Sequence, residues 1–165
     1  MECKAKSKKF NVMYNDLNLE FIFYNKEFIL SKLKEYEGSK SISSVRCVYI
    51  PEMRNRYSEL KNEYIDIQGK EKYHFFAYIK FFEYDGEKYG LVGGKTNYRQ
   101  PDITFDYLEK IDNRIARTFL NANNLNWSRE IIVVNHSQFA KRDVDEKQAL
   151  FLECFLQREF NLFNS

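Results

Sequence analysis

The spacing of hydrophobic and polar positions changes character near residue 70. Before it, apolar positions come in short stretches. "LNLEFIFYN" predicts a strand, and "NKEFILSKLKEYEGS" predicts a helix with Asn25 as N-cap, Phe28, Ile29 and Leu33 on one face, and Gly38 just past its end. "ISSVRCVYIP" predicts another strand, stopped by Pro51. The polar run "EMRNRYSELKNEYIDIQGKEK" predicts a helix whose "IQGKEK" end is the candidate linker.

From residue 73 the pattern is stronger. "YHFFAYIKFFEY" is apolar at both parities, as a strand covered on both faces must be. Asp85-Gly86 is a turn signal, and "EKYGLVGGK" after it makes the two runs an antiparallel hairpin. A two-residue turn sets Tyr78 opposite Gly93, and a three-residue turn with a bulge shifts the pairing by one. In both cases Tyr78 meets the 91–93 stretch. "DYLEKIDNRIARTFLNANN" predicts a helix over 106–124 with Leu108, Ile111, Ile115, Phe119 and Leu120 as its apolar stripe and Arg114 and Arg117 pointing away. "REIIVVN" follows as a strand, and "DVDEKQALFLECFLQREF" as a last helix before "NLFNS". The expected class is α/β (α+β): a small antiparallel sheet built on a central hairpin and flanked by helices, over 71–165, preceded by an N-terminal α/β extension over 1–70.

Composition adds limits. In 165 residues, 44% are hydrophobic and 15 are Phe and 12 Tyr, which excludes a disordered chain and predicts an aromatic core. With 26 basic against 24 acidic residues, bulk charge does not announce a nucleic-acid partner. Lys4, Lys6, Lys8 and Lys9 form a basic arm suited either to phosphate or to a solubilising, frayed terminus. Cys3, Cys47 and Cys154 are far apart and lack CxxC spacing, so neither a disulfide frame nor a zinc site is expected. No stretch has the ~20 apolar residues of a membrane span, and "MECKAKSKKF" lacks a signal sequence's apolar segment. The protein is expected to be cytoplasmic, with no membrane partner.

The glycines at 90, 93 and 94 are the first chemical question. A phosphate loop needs GxxxxGK[ST] leading into a helix. "GGKT" supplies only the tail of that motif and leaves a hairpin, so no nucleotide cofactor is expected. A tyrosine facing glycine across a hairpin leaves space for a phosphodiester above the ring hydroxyl. A phenol has a pKa of ~10 and serves as a base only beside cations. Lys80, Lys88, Lys95 and Arg99 are candidates for those cations, against the alternative that Tyr78 is one more core aromatic. In "ALFLECFL", Glu153 is the single polar residue. Either it shares a solvated stripe with Glu146 and Gln157, or, rimmed by Ala149, Leu150 and Leu156, it is partly dehydrated and holds a cation. Magnesium accepts so few protein ligands because it keeps its waters and takes phosphate oxygens. His136, after a strand, is expected on a surface loop; His74 has no partner at ligand spacing; Trp127 is expected in the core.

"AYIKFFEYDGEKYGLVGGKT", an Arg-bearing helix, a strand and "ALFLECFLQREFNLFNS" together resemble the GIY-YIG nuclease domain, over about residues 73–165. The GIY element corresponds to Phe76-Ala77-Tyr78 and the YIG element to Leu91-Val92-Gly93. The resemblance implies a metal-dependent endonuclease that hydrolyses DNA phosphodiester bonds, of the kind found in restriction or phage-related enzymes, with a homodimer as one arrangement for cutting two strands. It implies Tyr78 as proton acceptor, with Tyr89 or Lys88 for the second tyrosine, and Arg117 or Arg99, ahead of Arg114, for the phosphate-neutralising arginine. It further implies Glu153 as ligand of one Mg2+ or Mn2+ and Asn164 as its hydrogen-bonding companion. Lys80, Lys88, Lys95 and Arg114 are then expected to contact DNA. The rival expectation is a catalytically inactive nucleic-acid-binding or protein-interaction module on the same fold.

Overall fold

The computed structural model describes residues 6–37, 46–50, 75–97, 113–136 and 141–164. The chain is a mixed α/β protein with small, largely antiparallel sheets. Strands β1 (Ser7–Tyr14) and β2 (Leu17–Tyr24) pair from Ser7↔Tyr24 to Tyr14↔Leu17. Asn15 and Asp16 form their two-residue turn at φ of 50° and 63°, a conformation Asn and Asp tolerate better than other non-glycine residues. The expected frayed arm is thus corrected for Lys8 and Lys9, which lie in β1. Phe10 and Val12 are buried while Lys9, Asn11 and Met13 are exposed, a strand alternation that the lysines obscure. Lys9 pairs with Glu20 at 3.3 Å, and the Lys8 ammonium stands 4.8 Å from the centre of the Tyr84 ring.

Helix α1 (Lys26–Glu37) begins where Asn25 Oδ1 accepts the Phe28 N–H at 2.8 Å, the cap expected from sequence. Strand β3 (Arg46–Ile50) joins β4 (Phe75–Tyr84), β5 (Glu87–Asn97), β6 (Trp127–Asn135) and β7 (Phe163–Asn164) in one sheet of order β3-β6-β4-β5-β7. Among the described strands only β5 and β7 run parallel. Helices α2 (Arg114–Ala122) and α3 (Arg142–Glu159) complete the described elements, so the chain order from β4 is hairpin, helix, strand, helix. Gly38, the predicted 52–72 helix and linker, and the 106–112 part of the predicted helix, including Leu108 and Ile111, lie outside the described residues. None of the described helices is long and apolar enough to cross a membrane.

Strand β4 is buried from Phe75 to Phe82 because each of its faces carries a different layer. Ala77, Ile79 and Phe81 pack with Ile29 and Leu33 of α1 and with Leu152 and Leu156 of α3, followed by Phe160. Phe82, on the other face, packs with Phe10 and Phe23 of the β1–β2 hairpin and Phe119 of α2. The rings of these four phenylalanines all touch one another, with centroids 5.0 to 5.8 Å apart. Such aromatic pairs add roughly 0.5–1.5 kcal/mol each beyond burial. The N-terminal residues therefore build both layers on the sheet. In α2, Ala116, Phe119 and Leu120 are buried, whereas Ile115 is exposed, which corrects the predicted stripe at that position.

The β4–β5 turn has the two residues that Asp85-Gly86 predicts, at φ of 51° and 76°. Lys80 pairs with Val92 and Phe81 with Gly90, so Leu91 is an extra residue and the register shifts there. Tyr78 consequently faces Gly94, one residue beyond the predicted stretch.

Phe23→Ala removes one ring from the four-ring contact in a site that has little room to collapse. It is expected to lower unfolding free energy by about 3–5 kcal/mol in urea titration, as for other core Phe truncations. A loss below ~1 kcal/mol would mean that the N-terminal hairpin is not part of the cooperative core.

Candidate active site

The glycines of β5 make room for neighbouring elements on the α1–α3 side of the sheet. A Cβ at Gly90 would lie 2.7 Å from Ile29 Cδ1 and 2.9 Å from Leu162 Cδ2. At Gly93 it would lie 2.9 Å from Leu162 Cδ1 and 3.2 Å from Gln157 Cγ. The predicted clearance beside Tyr78 is therefore corrected for these two positions: they admit the chain between α3 and β7. Gln157 Nε2 donates to the Gly93 carbonyl at 2.7 Å, fixing α3 to the same strand.

This close approach brings three predicted site residues to one stretch of β5. Glu153 is half-buried on α3, and its carboxylate accepts a hydrogen bond from the Lys95 backbone N–H. Burial raises its pKa above the ordinary carboxylate value, while the Lys95 ammonium and that hydrogen bond act in the opposite direction. Lys95 Nζ lies 3.5 Å from Glu146 Oε1. Asn164 is exposed on β7, in register with Gly93. The stripe Glu146, Glu153 and Gln157 thus borders β5, with Glu153 and Gln157 half-buried and the Glu146 side chain still 39% exposed. Of the apolar rim expected around Glu153, Ala149 and Leu156 are buried and Leu150 is exposed.

The other predicted residues are elsewhere. Tyr78 is fully buried and, with Lys80 and Phe82, projects from the face of β4 opposite Ala77 and Ile79, so the sheet separates it from Glu153. Lys80 is 2% exposed, with its ammonium 5.7 Å from the Tyr78 ring centre and 5.5 Å from that of Trp127, and it is too enclosed to reach DNA. Tyr89 is buried against Phe82, ring centres 5.5 Å apart. Burial first, then Glu87, Asp85 and Tyr84, raise its pKa, the reverse of what a general base needs. Lys88 is paired with Glu83. Arg114 and Arg117 are exposed on α2. Arg99 and His74 lie outside the described residues.

His136 directly follows β6, as expected, but is buried and not on the surface: its Nδ1 lies 3.7 Å from Asp145 Oδ1, and Asp145 also accepts the Phe75 N–H. Trp127 is half-buried at the rim, not enclosed in the core. The Asp145 link and the Lys95–Glu146 pair carry no local sequence signal, since each joins residues far apart in the chain.

Among the described residues no three His, Cys, Asp or Glu side chains converge on one point. The available donor is a hard carboxylate oxygen, which suits Mg2+ or Mn2+ retaining water in most positions. Comparison with protein-family models, with curated proteins and with solved structures gives no match.

Because folding raises the pKa of Glu153, it favours the neutral carboxyl. The associated stability is complete below the unfolded pKa and is lost as pH rises through the folded one. Glu153→Gln keeps an acceptor for Lys95 without the charge. In thermal melts the variant is expected to gain on the wild type as pH rises from 4 to 7; a difference independent of pH would contradict the assigned environment of Glu153.

Proposed function

We propose that this chain is a metal-dependent endonuclease that hydrolyses DNA phosphodiester bonds at the Gly93–Lys95 stretch of β5. The observation that carries this reading is the placement of Glu153 against Lys95, with Asn164 beside Gly93. The order of hairpin, helix, strand and helix agrees with the resemblance to GIY-YIG nucleases. Glu153 would hold one Mg2+ or Mn2+, which when bound supplies Lewis-acid stabilisation to the phosphate. Lys95 supplies a cation for a non-bridging phosphate oxygen, exchanging its contact with Glu146 for the substrate. The exposed Asn164 amide orients a phosphate oxygen or water. Tyr78 and Tyr89 hold the opposite face of the sheet and take no proton in this scheme; the proton of the attacking water passes to bulk solvent, and solvent returns one to the departing 3′ oxygen as the P–O bond breaks.

The sealed position of Tyr78 favours a second reading, a module that keeps the fold and binds nucleic acid without cutting it. Plasmid DNA incubated with and without Mg2+ or Mn2+ separates the two. Metal-dependent nicking is expected, falling about 10²–10³-fold in Glu153→Gln, the loss typical of removing one transition-state contact. DNA retention without cleavage by wild type supports the module, and absence of both binding and cleavage removes both readings.

A further inference from the structure

A second place of distinct chemistry lies on the other side of the molecule, where α2 hands over to β6. Arg117, Leu120, Asn121, Leu125, Asn126 and Trp127 line a cleft of about 260 Å³. Its walls are one guanidinium, two carboxamides, one indole and two leucines, with no carboxylate among them.

Local backbone chemistry shapes this cleft. Asn113 caps α2 by accepting the Ala116 N–H at 2.9 Å, and no acidic residue occupies the first turn to neutralise Arg114 or Arg117. At the other end Asn124 takes a φ of 52°, and the Leu125 N–H returns to the Leu120 carbonyl at 2.8 Å. That is the six-to-one closure of a helix C-terminus, which sets Leu120 and Leu125 side by side. The Asn126 carbonyl accepts the Glu83 N–H at 3.3 Å, tying the loop to β4. Beneath the rim, the buried Lys80 ammonium stands 5.5 Å from the Trp127 ring centre. That contact restrains the indole from its inner side.

We propose that this cleft is a subsite for one unpaired nucleotide, with the base on the Trp127 indole and the phosphate on Arg117. Every base has a π-face, and stacking on an aromatic side chain contributes about 1–3 kcal/mol. Asn121 and Asn126 offer both donors and acceptors to a base edge. A guanidinium binds phosphate through paired N–H groups. The volume lies below the ~300 Å³ at which sites for drug-sized ligands begin, which suits a single base. Bases within a duplex are already stacked on both faces, so the preferred ligand is single-stranded DNA. The choice of polymer rests on the nucleic-acid reading above; the cleft's chemistry does not require cleavage.

Trp127 is the chain's one tryptophan, so its fluorescence reports this cleft alone. Titration of the full chain in EDTA with a ten-residue oligo(dT) is expected to give saturable quenching that weakens with salt. Arg117→Ala is expected to weaken it about tenfold, the loss of a charged hydrogen bond, and Arg117→Lys to restore it only in part. Quenching by dTMP as tight as by the oligonucleotide supports the subsite with free nucleotide as the ligand. No quenching by either, equal quenching by a blunt duplex, or quenching indifferent to Arg117→Ala overturns the proposal. Glu153→Gln is expected to leave the quenching intact, so failure of the nuclease reading and failure of this subsite give different results.

Discussion

Everything on the α3 side of the sheet depends on two positions of β5 that carry no side chain. A methyl group at Gly90 would displace the Ile29 and Leu162 side-chain ends, and one at Gly93 would displace the Leu162 side chain and press on Gln157. Interiors are packed too tightly for such a group to be absorbed without displacement. The close approach lets Gln157 bond the Gly93 carbonyl, and one helical turn earlier it holds Glu153 against the Lys95 amide. The same approach gives Asn164 a place on the sheet edge. Packing and the candidate chemistry therefore share one cause. The carboxylate that results is harder to ionise than an exposed one, because burial disfavours its charged form.

The sheet keeps two chemistries apart. On its α1–α3 side the core is mainly aliphatic and the polar groups gather at Lys95, Glu146 and Glu153. On the other side four phenylalanines lock the N-terminal hairpin to α2, and Lys80 lies between the rings of Tyr78 and Trp127. A strand buried on both faces makes a strong scaffold, and it also prevents side chains of opposite parity from meeting. Tyr78 and Glu153 are near in topology yet on opposite faces of the sheet, which is why the phosphodiesterase scheme proposed for β5 uses a lysine and an amide in place of tyrosine.

Much of the framework was legible in residue spacing. The β4–β5 hairpin, its Asp85-Gly86 turn, the Asn25 cap and the long final helix all follow from local signals that tertiary contacts reinforce. Strand β1 was not legible, because Lys8 and Lys9 hide the alternation of Phe10 and Val12. The face chosen by Tyr78 was also hidden: the run is apolar at both parities, and its one charged residue between Phe75 and Phe82, Lys80, is itself buried on Tyr78's face and so marks no solvent side. The bulge at Leu91 moved Tyr78 one pairing along, and nothing in "YGLVGG" announces it. For the site, the isolation of Glu153 among apolar residues pointed to a dehydrated carboxylate, while its partner Lys95, 58 residues earlier, became identifiable only through the packing of α3 on β5.

Whether Glu153 is a metal ligand is the point on which the proposed activity rests. Crystals of the protein soaked with MnCl2 and measured at the manganese absorption edge test it directly. The account predicts an anomalous peak bonded to the Glu153 carboxylate, on the β5 side of α3, with water filling the remaining positions. A Glu153 still joined to Lys95 with no manganese on it, or a peak confined to another part of the surface, would contradict it.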